Sequence, residues 1–204
     1  MAAMTRRLLL VAFLGLIAAL SFHLPSPLEE PGQRSERPKQ SDKLSNIVLY
    51  TQHGKAVRFY DDLVKDRTVL INLMYIGCGD ICPANSAALA SLHELLGKRV
   101  GRDILMLSIS IDPIGDTPER LKRYWELFGA KPGWLFLTGK PAEVDRLRRE
   151  LGLYDPDSEI DADPTQHSGV LTVGNDRTNR WLSLPVLMHA GELASTILRV
   201  AGPL

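Results

Sequence analysis

The sequence is short of cysteine, aromatics and net charge, and each shortage closes off a class of function. Only 2 cysteines stand among 204 residues, which excludes a disulfide-dense scaffold and a four-cysteine zinc site built within one chain. Phe, Trp and Tyr make up 6%, which argues against stacking platforms for single-stranded nucleic acid. The 24 Lys+Arg are matched by 24 Asp+Glu, so no basic excess marks a nucleic-acid binder. There is no internal repeat and no long low-complexity stretch. What is present is 45% hydrophobic residues, enough to build the core of one domain, and two sulfurs to account for.

The amino terminus reads as a separate object. Met1 to Arg7 is short and positive, and the run from Leu8 to Leu24 is apolar apart from Ser21 and His23. As a helix this run would span roughly 25 Å, a little short of a hydrocarbon core of about 30 Å. Arg6 and Arg7 would keep their end in the cytoplasm and send the rest outward. Two readings stand for residues 1–24: an uncleaved signal-anchor, which is favoured, or a signal peptide with a weak cleavage match at Ala19-Leu20-Ser21. Residues 25–45 carry Pro25, Pro27, Pro31 and Pro38 among charged and polar side chains. Such a segment cannot offset its ordering entropy by burial and reads as a flexible tether. The expected placement is therefore a domain on the periplasmic side of an inner membrane, or released to the periplasm if the segment is cleaved.

From residue 46 to 204 the chain alternates strands and helices, which predicts an α/β domain. Ile47–Thr51 and Val57–Tyr60 read as a hairpin about His53-Gly54. Thr68–Tyr75 and Ile104–Ile111 are apolar, β-rich runs and hence buried strands. Between them Pro83 to about Gly97 reads as a helix, with Leu89, Leu92, Leu95 and Leu96 on one face and Gly97 at its end. Thr117 caps a second helix with Pro118 in its first turn. Trp134–Leu137 is a short strand and Pro141–Leu151 a third helix. Ser168–Val173 and Arg180–Leu184 form an antiparallel pair about Gly174-Asn175-Asp176, and a last helix runs from His189 to about Val200.

Cys78-Gly79-Asp80-Ile81-Cys82-Pro83 falls between the central strand and the first long helix. Pro83 suits a first helical position, which sets Cys82 near the cap, where orphan N–H groups and the positive dipole end favour a thiolate. The carboxyl end of a parallel strand is where open α/β sheets place ligands. Three intervening residues let the two sulfurs converge, either to oxidise to a disulfide or to grip one soft metal; a static structural disulfide or two inert thiols is the bland alternative.

Three stretches carry a family resemblance. They are Cys78-Gly-Asp-Ile-Cys82-Pro83 after an apolar strand, Ser108-Ile-Ser-Ile-Asp112-Pro113 followed by Asp116-Thr-Pro-Glu119, and His167-Ser168 leading into a late strand. Together with the tether, this pattern resembles the SCO/SenC proteins, membrane-tethered copper-binding proteins of thioredoxin-like fold. The resemblance implies a thioredoxin-like central sheet flanked by helices, and copper held by Cys78, Cys82 and His167. It further implies a partner in subunit II of cytochrome c oxidase, at its binuclear copper centre, or another copper acceptor. The family pattern has proline after the first cysteine where this chain has Gly79, which loosens the loop and could alter copper affinity or redox potential.

The chemistry of the donors agrees. Copper(I) prefers soft thiolates, and imidazole adds a borderline nitrogen; copper(II) would recruit a further ligand. His167 lies far along the chain from Cys82, so only folding can bring it near. A lone His before a strand is ordinarily a surface or satisfied residue, and only the joint pattern reverses that. His23, His53, His93 and His189 are not preferred as ligands, and Met74 and Met106 read as core filler. Asp80 orients the loop or is a solvated carboxylate; Asp112 and Asp116 default to turn or capping roles. Five carboxylates alternate from Asp155 to Asp163, but Ile160 and Gln166 occupy the places where a calcium loop wants Gly and Glu. This run reads as a soluble surface loop, or as one that steers a basic partner or draws cations toward His167.

Three functions compete: a copper chaperone working by ligand exchange and not an enzyme, a thiol–disulfide oxidoreductase cycling Cys78 and Cys82, or a redox or copper sensor. The first two are compatible, since the sulfurs must be reduced, by a thiol–disulfide reductant, before they bind copper(I).

Overall fold

The computed structural model describes residues 38–79, 81–162 and 169–204. The anchor and most of the tether, together with Asp80, Asp163 and His167, lie outside the described residues. Among the described residues no helix is long and apolar enough to cross a membrane.

Among the described residues, seven strands form one sheet. They are β1 (Val48–Thr51), β2 (Ala56–Arg58), β3 (Thr68–Met74), β4 (Ile104–Ser110), β5 (Trp134–Gly139), β6 (Val170–Asn175) and β7 (Arg180–Pro185). Their order across the sheet is β2-β1-β5-β4-β3-β6-β7. The centre, β5-β4-β3, is parallel. The flanking pairs β1–β5, β3–β6, β1–β2 and β6–β7 are antiparallel. The helices are α1 (Ile81–Leu96), α2 (Pro118–Leu127), α3 (Pro141–Glu150), α4 (Ser158–Ala162) and α5 (Ala190–Ala201).

The central strands are buried on both faces, as parallel strands covered by crossover helices must be. Alternation along them divides the core. Leu70, Met74, Met106, Trp134 and Phe136 face a cluster closed by α1, α2 and α5. Val69, Ile71, Leu107, Ile109 and Leu137 face a second cluster, closed by α3 and the chain around Phe59 and Val64. Met74 and Met106 are core filler as expected.

Several boundaries differ from those predicted. The hairpin's second arm stops at Arg58, because Phe59–Val64 winds into one wide turn in which Lys65 N–H donates to the Tyr60 carbonyl at 2.9 Å. That turn buries Phe59, Leu63 and Val64 together, a gain that further strand pairing could not give. Strand β5 runs two residues beyond Leu137 because it pairs with β1 through Gly139. In the β6–β7 pair, Gly174 and Asn175 belong to the strand, opposite Trp181 and Arg180, so the turn lies after them. Gly174 is required by close approach: a Cβ there would sit 2.3 Å from the Trp181 ring.

Helix α1 starts two residues before Pro83. The first four N–H groups of a helix have no partner within it, so a proline is tolerated throughout the first turn and does not mark its first residue. Its inner face is Leu89, Leu92 and Leu96; Leu95 is exposed, about a quarter turn from that face. Gly97, at φ +55°, ends it as expected. Thr117 caps α2 through its Oγ1, which accepts the Arg120 N–H at 3.4 Å.

Candidate metal centre

Strand β3 delivers the chain to the carboxyl edge of the sheet and α1 takes it away, so the cysteine loop caps the end of the central strand. Both Cys78 and Cys82 are buried thiols packed in the same apolar cluster as Met74, Leu89 and Leu171. The Cys78 N–H donates to the Tyr75 carbonyl at 3.3 Å, forming a tight turn. Cys82 N–H, at the amino end of α1, donates to Cys78 Sγ at 3.3 Å.

That bond corrects the assignment of the two sulfurs. The helix N terminus serves Cys78, whose sulfur receives one of the orphan N–H groups and sits at the positive dipole end. Cys82 lies inside the first turn. Burial foremost, and then the contact with Cys78, push its thiol up to about 12. The pair is therefore asymmetric, with one sulfur supported as an anion and one held as a thiol.

A polar layer lies under this loop. On the face toward α1, the β4 positions that alternate with apolar residues carry Ser108 and Ser110, and β3 carries Asn72. Trp134 Nε1–H donates to Ser108 Oγ at 2.9 Å, and Ser108 donates to Asn72 Oδ1 at 2.7 Å. Ser86 of α1 and Tyr124 of α2 share a hydrogen bond of 3.1 Å, and burial pushes the Tyr124 phenol up.

Asp116 does more than the turn or capping role expected of it: it is fully buried. Its Oδ2 accepts the Ile76 N–H at 3.0 Å and the Ser110 hydroxyl at 2.7 Å, while Oδ1 is buried without a partner among the described residues. Burial pushes its carboxyl up, against the pull of those two hydrogen bonds. Asp112, by contrast, is an exposed turn residue whose Oδ1 accepts the Gly115 N–H at 3.0 Å. A motif of two aspartates four apart could have signalled a turn in which one points out and the other in.

The histidines separate. His53 is exposed at the hairpin, edge-on to Trp125. His93 is buried against the Trp134 ring, 6.2 Å between centroids, and burial pushes its imidazole down. His189 stands at the N-cap position of α5, exposed. His167 lies outside the described residues. Gly169, two residues further on, is described: a Cβ on it would sit 3.9 Å from Ile81 Cδ1, beside the residue between Asp80 and Cys82. Its carbonyl accepts the Val186 N–H at 2.8 Å. The chain thus re-enters the described fold next to the cysteine loop.

The acidic run is only partly a solvated loop. Asp161 of α4 is buried and takes both guanidinium nitrogens of Arg148, at 2.5 and 2.7 Å, together with the Asp155 N–H at 2.8 Å. One of the five carboxylates is an anchor. At Gly79 a Cβ would meet nothing within 4 Å, so a larger residue is not excluded there by contact.

The donor set that the described residues supply, two thiols in one buried cluster, fits a soft cation. The family model for SCO1/SenC matches residues 35–201. A Stutzerimonas stutzeri protein named for copper binding is 32% identical over 125 residues, 60% of either chain. Protein SenC of Rhodobacter capsulatus is 37% identical over 108 residues, 53% of this chain and 47% of its own length. The chain thus spans about half the length of the curated relatives it matches. Among solved structures, Bradyrhizobium japonicum ScoI with copper bound superposes with a TM-score of 0.59 at 25% identity, covering 75% of this chain and 96% of that one. The central sheet flanked by helices agrees with these relations, and the chain belongs to the SCO1/SenC family, with its thioredoxin-like fold.

Proposed function

We propose that this chain binds copper through Cys78, Cys82 and His167 and passes it by ligand exchange to the binuclear copper centre of cytochrome c oxidase subunit II. The observation that carries the reading is the pair of buried thiols at the amino end of α1, at the point where Gly169 brings the chain back beside Ile81. Family membership and a relative named for copper binding support it. Two thiolates and one neutral imidazole leave copper(I) a three-ligand site, open to an incoming sulfur. Cys78, its charge supported by the helix, is the sulfur bonded first to the arriving ion; Cys82 releases its proton only against bound metal. In delivery the order reverses, and incoming thiolates displace the ligands one at a time, so the ion is never free. The domain would act on the periplasmic side of the inner membrane, tethered by residues 1–45, or free in the periplasm if that segment is cleaved.

The asymmetry of the sulfurs also favours a second reading, reduction of a partner disulfide. There Cys78 attacks one partner sulfur, and Cys82 then loses its proton and closes on Cys78, releasing the partner dithiol. Anaerobic reconstitution with copper(I) separates the two. One copper per chain is expected, lost in Cys78→Ser and in Cys82→Ser and strongly weakened in His167→Ala, whose dithiol still oxidises. Unchanged stoichiometry in the cysteine variants refutes the copper reading; catalytic turnover of a protein disulfide establishes the second.

A further inference from the structure

Two fully buried polar side chains, Ser110 and Asp116, converge on the turn that leads into the cysteine loop. Ile76 stands two residues before Cys78, and its N–H points down into the fold to Asp116 Oδ2 at 3.0 Å. Ser110, the last residue of β4, donates to the same oxygen at 2.7 Å, and its Oγ in turn accepts the Asp112 N–H at 3.1 Å. Asp116 N–H donates to the Asp112 carbonyl at 2.8 Å, and Ile111 N–H donates to the Met74 carbonyl at 2.9 Å. One carboxylate therefore ties the exit of β3 to the exit of β4. A fully buried carboxylate with one oxygen unpartnered among the described residues is costly to keep, and an ordinary turn needs no such group. Its placement matters because Cys78 N–H closes on the Tyr75 carbonyl, so residues 75–78 form a single turn with Ile76 as its pinned corner.

We propose that Asp116 is a positioning residue for the dithiol. By holding Ile76 N–H it fixes the turn that presents Cys78 Sγ to the Cys82 N–H, and so sets how readily the two sulfurs close to a disulfide and how firmly they hold a soft cation. The first consequence needs only the cysteine pair; the second rests on the copper reading above. Loosening the corner lets Cys78 leave the helix N terminus, which removes a hydrogen bond that the thiolate receives and the disulfide does not need.

The test is a redox titration of the full chain in glutathione buffers without copper. The Cys78 and Cys82 thiols give two electrons and two protons to glutathione disulfide, forming one S–S bond and two glutathione thiols. The fraction oxidised is read from the mass added by alkylation. Asp116→Ala, which removes the acceptor, is expected to move the equilibrium constant roughly tenfold or more, about 30 mV for this two-electron couple. Asp116→Asn keeps an oxygen for Ile76 and is expected to move it less than that. An alanine variant inside that limit, or an asparagine variant outside it, overturns the proposal. Should Asp116→Ala fail to fold, amide exchange of Ile76 in the unaltered chain decides. Strong protection is expected, and exchange at the rate of an open loop overturns the proposal. Copper is absent throughout, so this result stands or falls apart from the reconstitution of the cysteine variants.

Discussion

Cys78 and Cys82 are four positions apart, alike in type and alike in burial, yet the fold makes them different acids. One sulfur receives a helix N–H; the other is pushed up to about 12, chiefly by burial. A raised thiol holds its proton more tightly, so at any pH below that value less of it is thiolate. In the reduced, metal-free chain, iodoacetamide is expected to label Cys78 before Cys82 from about pH 7 to 9. Peptide mass analysis over time checks the order, and equal rates would remove the asymmetry on which both functional readings draw. The sequence reading assigned the helix terminus to Cys82 because Pro83 looked like its first residue. A proline only reports that its own N–H is not needed, and in the first turn that holds at several positions. The same limit applies to Asp116: residue type and spacing suggested a turn, whereas burial depends on what other segments cover.

At the scale of the element, α1 shows how one helix joins stability to the site. Its amino end serves the sulfurs, while Leu89, Leu92 and Leu96 fill the core below. His93 belongs to that inner surface, against Trp134. Its imidazole is pushed down by burial, so the folded state binds a proton less readily than the unfolded chain. The sign follows: its contribution is present above the unfolded value of about 6.5 and is lost as pH falls through the lower folded value. The chain is expected to lose more stability between pH 7 and 5 than His93→Phe does, measured by urea midpoints at each pH. Parallel pH dependence in the two proteins would show that His93 is not the titrating group. The periodic apolar spacing of α1 was legible in the sequence, and so were β3, β4 and the cap at Thr117, because those signals are local. Leu95 was misplaced on the inner face, since four leucines within eight residues span more of the helix than one contact surface can cover.

Over the whole molecule, two long-range contacts hold the segments that sequence could not join. Arg148 and Asp161 have side chains only 8% and 7% exposed, and they pin α4 to α3. Burying the pair yields little net stability, but removing Asp161 leaves the buried Arg148 guanidinium with only the half-exposed Asp145, 2.7 Å away, as a carboxylate partner. Asp161→Ala is therefore expected to cost about 3–5 kcal/mol in urea unfolding, while Asp161→Leu combined with Arg148→Met recovers most of the loss. A cost below about 1 kcal/mol, the scale of an exposed pair, would mean that the pair is solvated. The second contact, Gly169 beside Ile81, brings the chain back next to the cysteine loop. By itself the sequence determined the α/β alternation, the two central strands, the position of the cysteine loop at a strand end and the family pattern. Each of these is written in residues near one another, through periodicity, capping and motif. Only tertiary structure decided which sulfur faces the helix N terminus, that Asp116 lies beneath the loop, and that the acidic run turns one carboxylate inward to an arginine. Those outcomes depend on burial and on partners distant along the chain, and no local pattern encodes either.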